Sequence, residues 1–586
     1  MTTSDDAKLA AEEAAKAAAA AEEAADAARK KADELAQAAA AAQQQEATAA
    51  VDQDEPAEKP AEEPAAETPK AAGIVETVKA GYAFEGPALM IGALVDGDAV
   101  PEAQVRIPLG MLNRHGLVAG ATGTGKTKTL QVLAEQVAAH GVPVFAADIK
   151  GDLSGIASPG VSNEKLAARS ASIGQDWQPV ATPTEYFTLG GLGTGVPIRA
   201  SVESFGPVLL SKVLGLNETQ ESSLGLVFHY AREANQPLVD LGDLRTVLTY
   251  LTGDGKEALK KLGGLSAATA GVILRELITF ADQGADVFFG QPEIATSDFL
   301  RSTPDGKGIV SLLEVPSVQD KPALFSTFLM YLLSQLFREL PEVGDTDKPK
   351  LVFFFDEAHL LFKDASKDFL EQIAQTVRLI RSKGVGVFFV TQTPKDVPSD
   401  VLAQLGSRIQ HQLRAHTPDA AKSLRATVST YPNSDYDLEE VLTQLSIGEA
   451  VVTVMNEKGA PSPVAWTRVR APQGSMDPTP SDQIKATVDA SPLLAKYGTA
   501  VNPESATEMI DAATAASTAR REAEEEAERT AKEADRIAKQ SGGSPHSRHR
   551  TRTRTSRRQS PVERAAGEAG RTLARELIKN LFRRRR

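Results

Sequence analysis

The chain has 586 residues, 24% of them charged, a formal net charge of −14 and no cysteine, which excludes disulfides, Fe–S clusters and thiolate–zinc sites. That net charge conceals two opposed ends: residues 1–70 carry 17 acidic and 7 basic side chains, and residues 541–586 carry 14 basic and 3 acidic ones. No basic-then-apolar leader opens the sequence and no run of roughly 18 apolar residues interrupts it, so the expectation is a cytoplasmic protein without a transmembrane segment.

Residues 1–72 read as an Ala/Glu-rich tail and linker. Over 5–45, alanine interspersed with Glu, Asp and Lys favours a helix, either solvated or in a coiled coil. Over 53–70, Pro, Glu and Ala leave almost no large apolar side chain to bury, which predicts disorder. Residues 73–115 alternate and break at glycines, a short β-rich lead-in.

From 116 the rhythm becomes apolar strand, glycine loop, helix, strand. Strands that are apolar throughout and alternate with helices predict an α/β fold, a mostly parallel sheet covered on both faces, spanning 116–205 and 305–472. Between these halves, 206–304 reads as a run of amphipathic helices, a helical insertion. Residues 473–540 read as a linker and a charged Ala/Glu-rich helix. The last segment, 541–586, is Arg-rich and ends in a helical stripe through Val562, Ala566, Ala569, Leu573, Leu577 and Leu581.

The chemistry begins after the strand at 117–119. Gly120, Ala121, Thr122, Gly123, Thr124, Gly125, Lys126 and Thr127 match G-x-x-x-x-G-K-[ST] between a strand and a helix. Glycines let successive amides point into one concavity, where they and the helix N-terminus bind phosphate oxygens. Lys126 is expected to reach the β- and γ-phosphates of ATP, Thr127 to hold Mg2+ through its hydroxyl, and Lys128 to complete the binding segment. Five apolar residues, 351–355, then end in Asp356 and Glu357. Two carboxylates at the carboxyl end of a buried strand suit a metal ligand, Asp356, and a general base for the attacking water, Glu357. The next apolar strand ends in Thr391 and Gln392, and Gln392 either senses the γ-phosphate or the lytic water or is an ordinary amide at the start of a loop. His359 takes no role.

The segments 113–131, 147–155, 351–362, 376–398 and 404–415 together resemble the HerA-like bacterial ATPases of the YjgR type, within the HerA/FtsK group of RecA-fold motor ATPases. The similarity spans about residues 73–470. The tetrapeptide DEAH at 356–359 does not make the chain a DEAH-box helicase, since one phosphate-loop domain is present and not a pair. The resemblance implies a RecA-like P-loop NTPase, a hexameric ring, ATP held between neighbouring subunits and an arginine supplied across the interface. Arg381 and Arg408 are the candidates, with Arg378 beside them; a cis contact, a trans finger and a surface ion pair stay open for each. Asp148, Lys150 and Asp152 follow the second strand and either line a channel or interface or form a polar loop. Arg114 and His115 precede the phosphate-loop strand and either face the nucleotide or pack.

The expected function is therefore an Mg-dependent ATPase motor, a DNA translocase or helicase. The alternatives are a motor for a protein or secretion cargo and a nucleotide-dependent switch or scaffold. The basic tail has three readings: sequence-neutral DNA contact through phosphate neutralisation, peripheral contact with an anionic membrane, or docking on the chain's own acidic segment.

Overall fold

The computed structural model describes residues 73–541 apart from 262–263, 315–321, 345 and 364–366. The expectations for residues 1–72 and for the basic tail lie outside the described residues.

The chain enters through helix α1 (Ile74–Gly81) and a hairpin, β1 (Ala88–Asp96) and β2 (Asp98–Pro108). A short turn over Leu109–Arg114 leads into β3 (Gly116–Ala119), the phosphate loop and helix α2 (Lys126–Ala139). Then follow β4 (Val144–Asp148), helix α3 (Glu164–Ser172), β5 (Thr184–Leu189) and β6 (Val196–Ile198). Helices α4 (Glu218–Glu233), α5 (Leu241–Thr252) and α6 (Ala267–Asp282) intervene before β7 (Val310–Glu314) and α7 (Pro322–Glu339). The second half adds β8 (Leu351–Phe355), α8 (Lys367–Ile380), β9 (Val385–Thr391) and β10 (Ser407–Gln410). Helices α9 (Pro418–Val428) and α10 (Leu438–Gln444), strands β11 (Glu449–Thr453) and β12 (Ala465–Val469), and the long helix α11 (Ala506–Ser541) complete the described chain.

The twelve strands among the described residues share one sheet, ordered β2-β1-β12-β11-β10-β3-β9-β8-β4-β7-β5-β6. From β10 to β6 every pairing is parallel; from β10 outward through β11, β12, β1 and β2 every pairing is antiparallel. The expected mostly parallel α/β sheet is present. The residues read as a lead-in continue that same sheet, because β1 pairs with β12.

Period-2 alternation explains how a strand with no polar residue is accommodated. In β8, Phe353 and Phe355 join the core on one face with α7, α8 and the helices of 206–282, while Val352 and Phe354 join the core on the other face with α2. Burying each such ring contributes roughly 1.5–3 kcal/mol. The two faces thus leave only the strand ends free to carry chemistry.

The helices between β6 and β7 bury one stripe each: Leu224, Val227 and Phe228 in α4, Leu244, Val247 and Leu251 in α5, Ile273, Leu277 and Phe280 in α6. Asn217 and Asp240 close capping boxes at the starts of α4 and α5. Asp243 on α5 also accepts the Thr507 amide at 3.0 Å and the Thr507 hydroxyl at 2.8 Å, which anchors the first turn of α11 to this helical layer. Beyond it α11 is exposed and carries i,i+4 ion pairs such as Lys532 with Glu528. Among the described residues no helix is long and apolar enough to cross a membrane.

Candidate nucleotide site

β3, β9, β8 and β4 run parallel and side by side, so their carboxyl ends open onto one edge. The phosphate loop leaves β3 there. Gly120 N donates to Thr391 O at 3.2 Å and Ala121 N to Gln412 O at 2.8 Å, which fixes the loop to β9 and to the segment after β10. A Cβ on Gly120 would stand 2.5 Å from His411 Cβ, and Gly125 has a φ of 115°, so both positions need glycine. From Lys126 onward the chain is helical, and the first-turn amides of α2 face the loop without intrahelical acceptors. Lys126 Nζ folds back onto Ala121 O at 3.1 Å. Burial lowers its pKa, opposed by the charges of Glu357 and Asp356.

Asp356 and Glu357 follow β8 on the same edge, both about 5% exposed. Asp356 Oδ1 accepts the Glu357 amide at 2.9 Å, and burial, with the Glu357 charge second, pushes its carboxyl up to about 7. Glu357 has a φ of 47°, a left-handed conformation costly for a residue with a side chain and common where a catalytic group must be aimed. Its Oε1 accepts a hydrogen bond from Lys150 Nζ, and its Oε2 is buried without a hydrogen-bond partner, although His359 Nδ1 lies 3.2 Å away out of alignment. Burial works against the Lys150 ammonium, and the bond to Glu357 and its charge overcome it, holding the Lys150 pKa above its usual value. The sequence signal for this pair was the polar loop after β4, whose contribution stood open.

Other acids crowd the same edge. Asp148 accepts the amides of Gly151 and Leu153 at 2.7 and 2.8 Å, and burial pushes it up to about 6. Glu314, ending β7, is pushed up to about 8 by burial and then by Asp148. Asp152 Oδ1 is buried without a partner. The carboxyl oxygen of Asp356 and the hydroxyl of Thr127 are the oxygen donors a hard divalent cation takes, and one bound chiefly through nucleotide phosphates needs only one or two such ligands from the protein. Gln392 stands exposed directly after β9, between the phosphate loop and the Asp356 segment.

Two elements behind the loop had no role in the sequence reading. His411 is fully buried: its Nδ1–H donates to Glu449 O at 2.8 Å, so its Nε2 accepts the Thr129 hydroxyl at 2.9 Å. Burial lowers its pKa to about 4 and keeps it neutral. Residues 470–479 form a strap across α2. Glu135 accepts the amides of Gln473 and Gly474, both at 2.8 Å, and Gln131 donates to Ser475 O. Lys128 Nζ reaches Met476 O at 2.7 Å, so this side chain is turned onto the strap; only the Lys128 backbone faces the loop. Gln131 and Glu135, buried polar residues one turn apart on an otherwise apolar helix face, were the available signal.

The candidate arginines are elsewhere. Arg408 pairs with Leu117 across β10 and β3, and Arg381 begins the turn just before β9, so both lie toward the amino edge of the parallel strands. With Arg114 and Arg378 they line a cavity of about 500 Å3 on that side. Strand direction thus sets both backbones back from the phosphate loop; Arg408, opposite Leu117, stands three residues, about 10 Å at 3.3 Å per residue, short of Gly120. Arg408 donates to Thr430 O at 2.9 Å and lies 6.0 Å from the Tyr431 ring centroid. Of the two readings of Arg114 and His115, packing holds for His115, and Arg114 lines the same cavity. His115 is buried, bonded to Val377 O and to the Val387 amide, with a pKa lowered by burial to about 4.

The family described as "Helicase HerA-like C-terminal" matches residues 93–585, and the chain belongs to that family of P-loop ATPases. Its relatives include the "Probable helicase MJECL08" of Methanocaldococcus jannaschii, 25% identical over 364 residues, 58% of this chain and 64% of that one. The "DNA double-strand break repair helicase HerA" of Sulfolobus acidocaldarius is 21% identical over 374 residues, 63% of this chain and 67% of that protein. The chain thus spans about two thirds of the length of these relatives. Among solved structures, the bacterial conjugative coupling protein TrwBdeltaN70 is similar at 16% identity and a TM-score of 0.47, over 69% of this chain and 93% of that chain. The fold is an α/β sheet, parallel from β10 to β6, with the phosphate loop at its carboxyl edge.

Proposed function

We propose that this HerA-like chain hydrolyses Mg-bound ATP as one subunit of a homo-oligomeric ring, a hexamer in the cytoplasm, and couples the cycle to movement along DNA or its unwinding. The observation that carries the reading is the division of the machinery between two sheet edges: phosphate loop and carboxylates on one, an arginine-lined cavity on the other. A ring that packs one edge against the opposite edge of its neighbour makes the composite site complete.

Within one subunit, Lys126 and the amides of 123–128 bind the β- and γ-phosphates. Thr127 and Asp356 would hold Mg2+, which when bound neutralises charge on the phosphate oxygens. Glu357 accepts the proton of the attacking water once it is released from Lys150, and Gln392 orients that water or the γ-phosphate. From the neighbour, Arg381 supplies the finger. Arg408 is engaged by Thr430 and Tyr431 and shapes the cavity around it.

DNA is the favoured polymer because relatives carry it in their names and because the basic residues of 541–586 suit phosphate neutralisation. The test is steady-state ATPase activity of the full chain with and without duplex and single-stranded DNA, beside Lys126→Ala and a chain ending at Gln540. Stimulation by DNA that Lys126→Ala abolishes, falling with added salt, is expected. Robust hydrolysis indifferent to both DNAs would move the cargo to a protein or a membrane-bound partner.

A further inference from the structure

Both ends of the phosphate loop are tied to one residue that the scheme above does not use. The loop leaves β3 at Ala119 and passes through 120–125 into α2, so the amides that meet a phosphate are aimed by how far apart entry and exit stand. His411 is bonded at each. Its backbone amide donates to Ala119 O at 2.7 Å, at the entry, and its Nε2 accepts the Thr129 hydroxyl at 2.9 Å, in the first turn of α2 at the exit. Between them Gly448 N donates to Thr124 O at 2.9 Å.

Three features make this more than packing. The Thr129 hydroxyl has left its own helix: Thr249, Thr279 and Thr427 return theirs to the carbonyl four residues back, whereas Thr129 crosses to a ring in another segment. The ring is matched to the place. Glu449 O can only accept, so Nδ1 carries the proton and Nε2 offers a lone pair, and the one donor and one acceptor of a neutral imidazole are both used. The His411 side chain also stands against the loop at both of its glycine-requiring positions. A Cβ on Gly120 would lie 2.5 Å from His411 Cβ, and one on Gly125 3.7 Å from His411 Cε1. His411 and Thr129 are 0% and 1% exposed, so neither is open to a ligand and their effect on phosphate runs through the backbone they join.

We propose that His411 is a positioning residue for the nucleotide: through Thr129 it clasps the two ends of the phosphate loop and so aims Lys126 and the first-turn amides of α2 at the phosphates. The proposal rests on the reading of 120–127 as a nucleotide site. It also assigns a purpose to the pairing of β10 with β3, where Gln410 faces Ala119 and so places His411 level with Gly120.

The experiment is calorimetric titration of the full chain with ADP and inorganic tripolyphosphate, with a thermal melt of each protein. The variants are Thr129→Val, Thr129→Ser, His411→Leu, the Thr129→Val/His411→Leu double variant and Lys126→Ala, beside the unaltered chain. Thr129→Val keeps the side-chain shape and deletes the donor, so it carries the test should His411→Leu not fold. The expected result is a loss of about tenfold in affinity in Thr129→Val, the equivalent of about 1.4 kcal/mol, equal for both ligands because only the phosphate cradle is disturbed. The KM for ATP rises in the same proportion. Thr129→Ser, which restores the hydroxyl, binds within about twofold of the unaltered chain, and the double variant loses no more than His411→Leu alone. A lower melting point with unchanged affinities in Thr129→Val makes His411 a core residue only and overturns the proposal. A loss confined to ADP, failure of Thr129→Ser to recover, or losses that add in the double variant overturn it as well. Binding of both ligands indifferent to Lys126→Ala would instead overturn the nucleotide site as a whole.

Discussion

The two edges of the parallel sheet differ in charge and in readiness. At the carboxyl edge, acids and lysines are mixed, buried and mutually engaged: Lys150 holds Glu357, Lys126 folds onto its own loop, and Asp356 and Glu314 have carboxyls pushed up by burial. At the amino edge there are no paired acids among the described residues of the lining; arginines gather around an open cavity that His115 and Tyr431 also line. Groups that must exchange partners during a cycle sit on one side, and groups with a permanent charge on the other. Under the proposed function neither edge is a catalyst alone: one would bind and activate, the other would add positive charge.

That division is broken or sharpened first by Arg381→Ala. Removing a finger arginine should lower kcat by about 10³-fold or more with nucleotide affinity nearly unchanged. Mixing Arg381→Ala with Lys126→Ala subunits should restore part of the activity, because each neighbour supplies the edge the other lacks; no recovery in mixed assemblies would refute the trans arrangement. Next in size, Glu357→Gln should cut kcat by about 10²–10⁴-fold while ADP affinity stays near that of the unaltered chain. A fall in both would move Glu357 from chemistry to binding.

Each edge also has a buried neutral histidine behind it, His115 and His411, both with pKa about 4 against 6.5 when exposed. A histidine with a lowered native pKa stabilises the fold fully above pH 6.5. It loses that contribution as pH falls toward 4, because the unfolded chain binds the proton first. Each can account for up to about 3 kcal/mol of acid destabilisation. Denaturant midpoints measured between pH 7 and 4.5 should therefore fall steeply, and His115→Gln or His411→Gln should flatten the slope; an unaltered slope in both would show that these rings titrate normally. The smallest effect belongs to Lys150→Ala. Freeing Glu357 should change kcat by only about threefold and leave KM alone, which steady-state kinetics reads directly.

Much of the carboxyl edge was legible beforehand because its signals are local. A phosphate loop needs glycines, lysine and threonine at fixed offsets, and an all-apolar strand ending in Asp356 and Glu357 states its own burial and its own exit point. The arginines were found by type and neighbourhood yet assigned to no edge. His411, the Lys150–Glu357 pair and the strap were missed, since each depends on segments hundreds of residues apart, as with Gly474 on Glu135.

The sequence by itself determined the period of each element, the α/β class and the candidate status of 120–127 with 356–357, because short-range sterics and hydrophobic alternation act within one strand or one turn. Only the tertiary structure decided which ends of those strands lie together. Direction in a parallel sheet is a property of pairing between distant segments, and it alone separates Arg381 from Lys126 and turns Lys128 onto the strap.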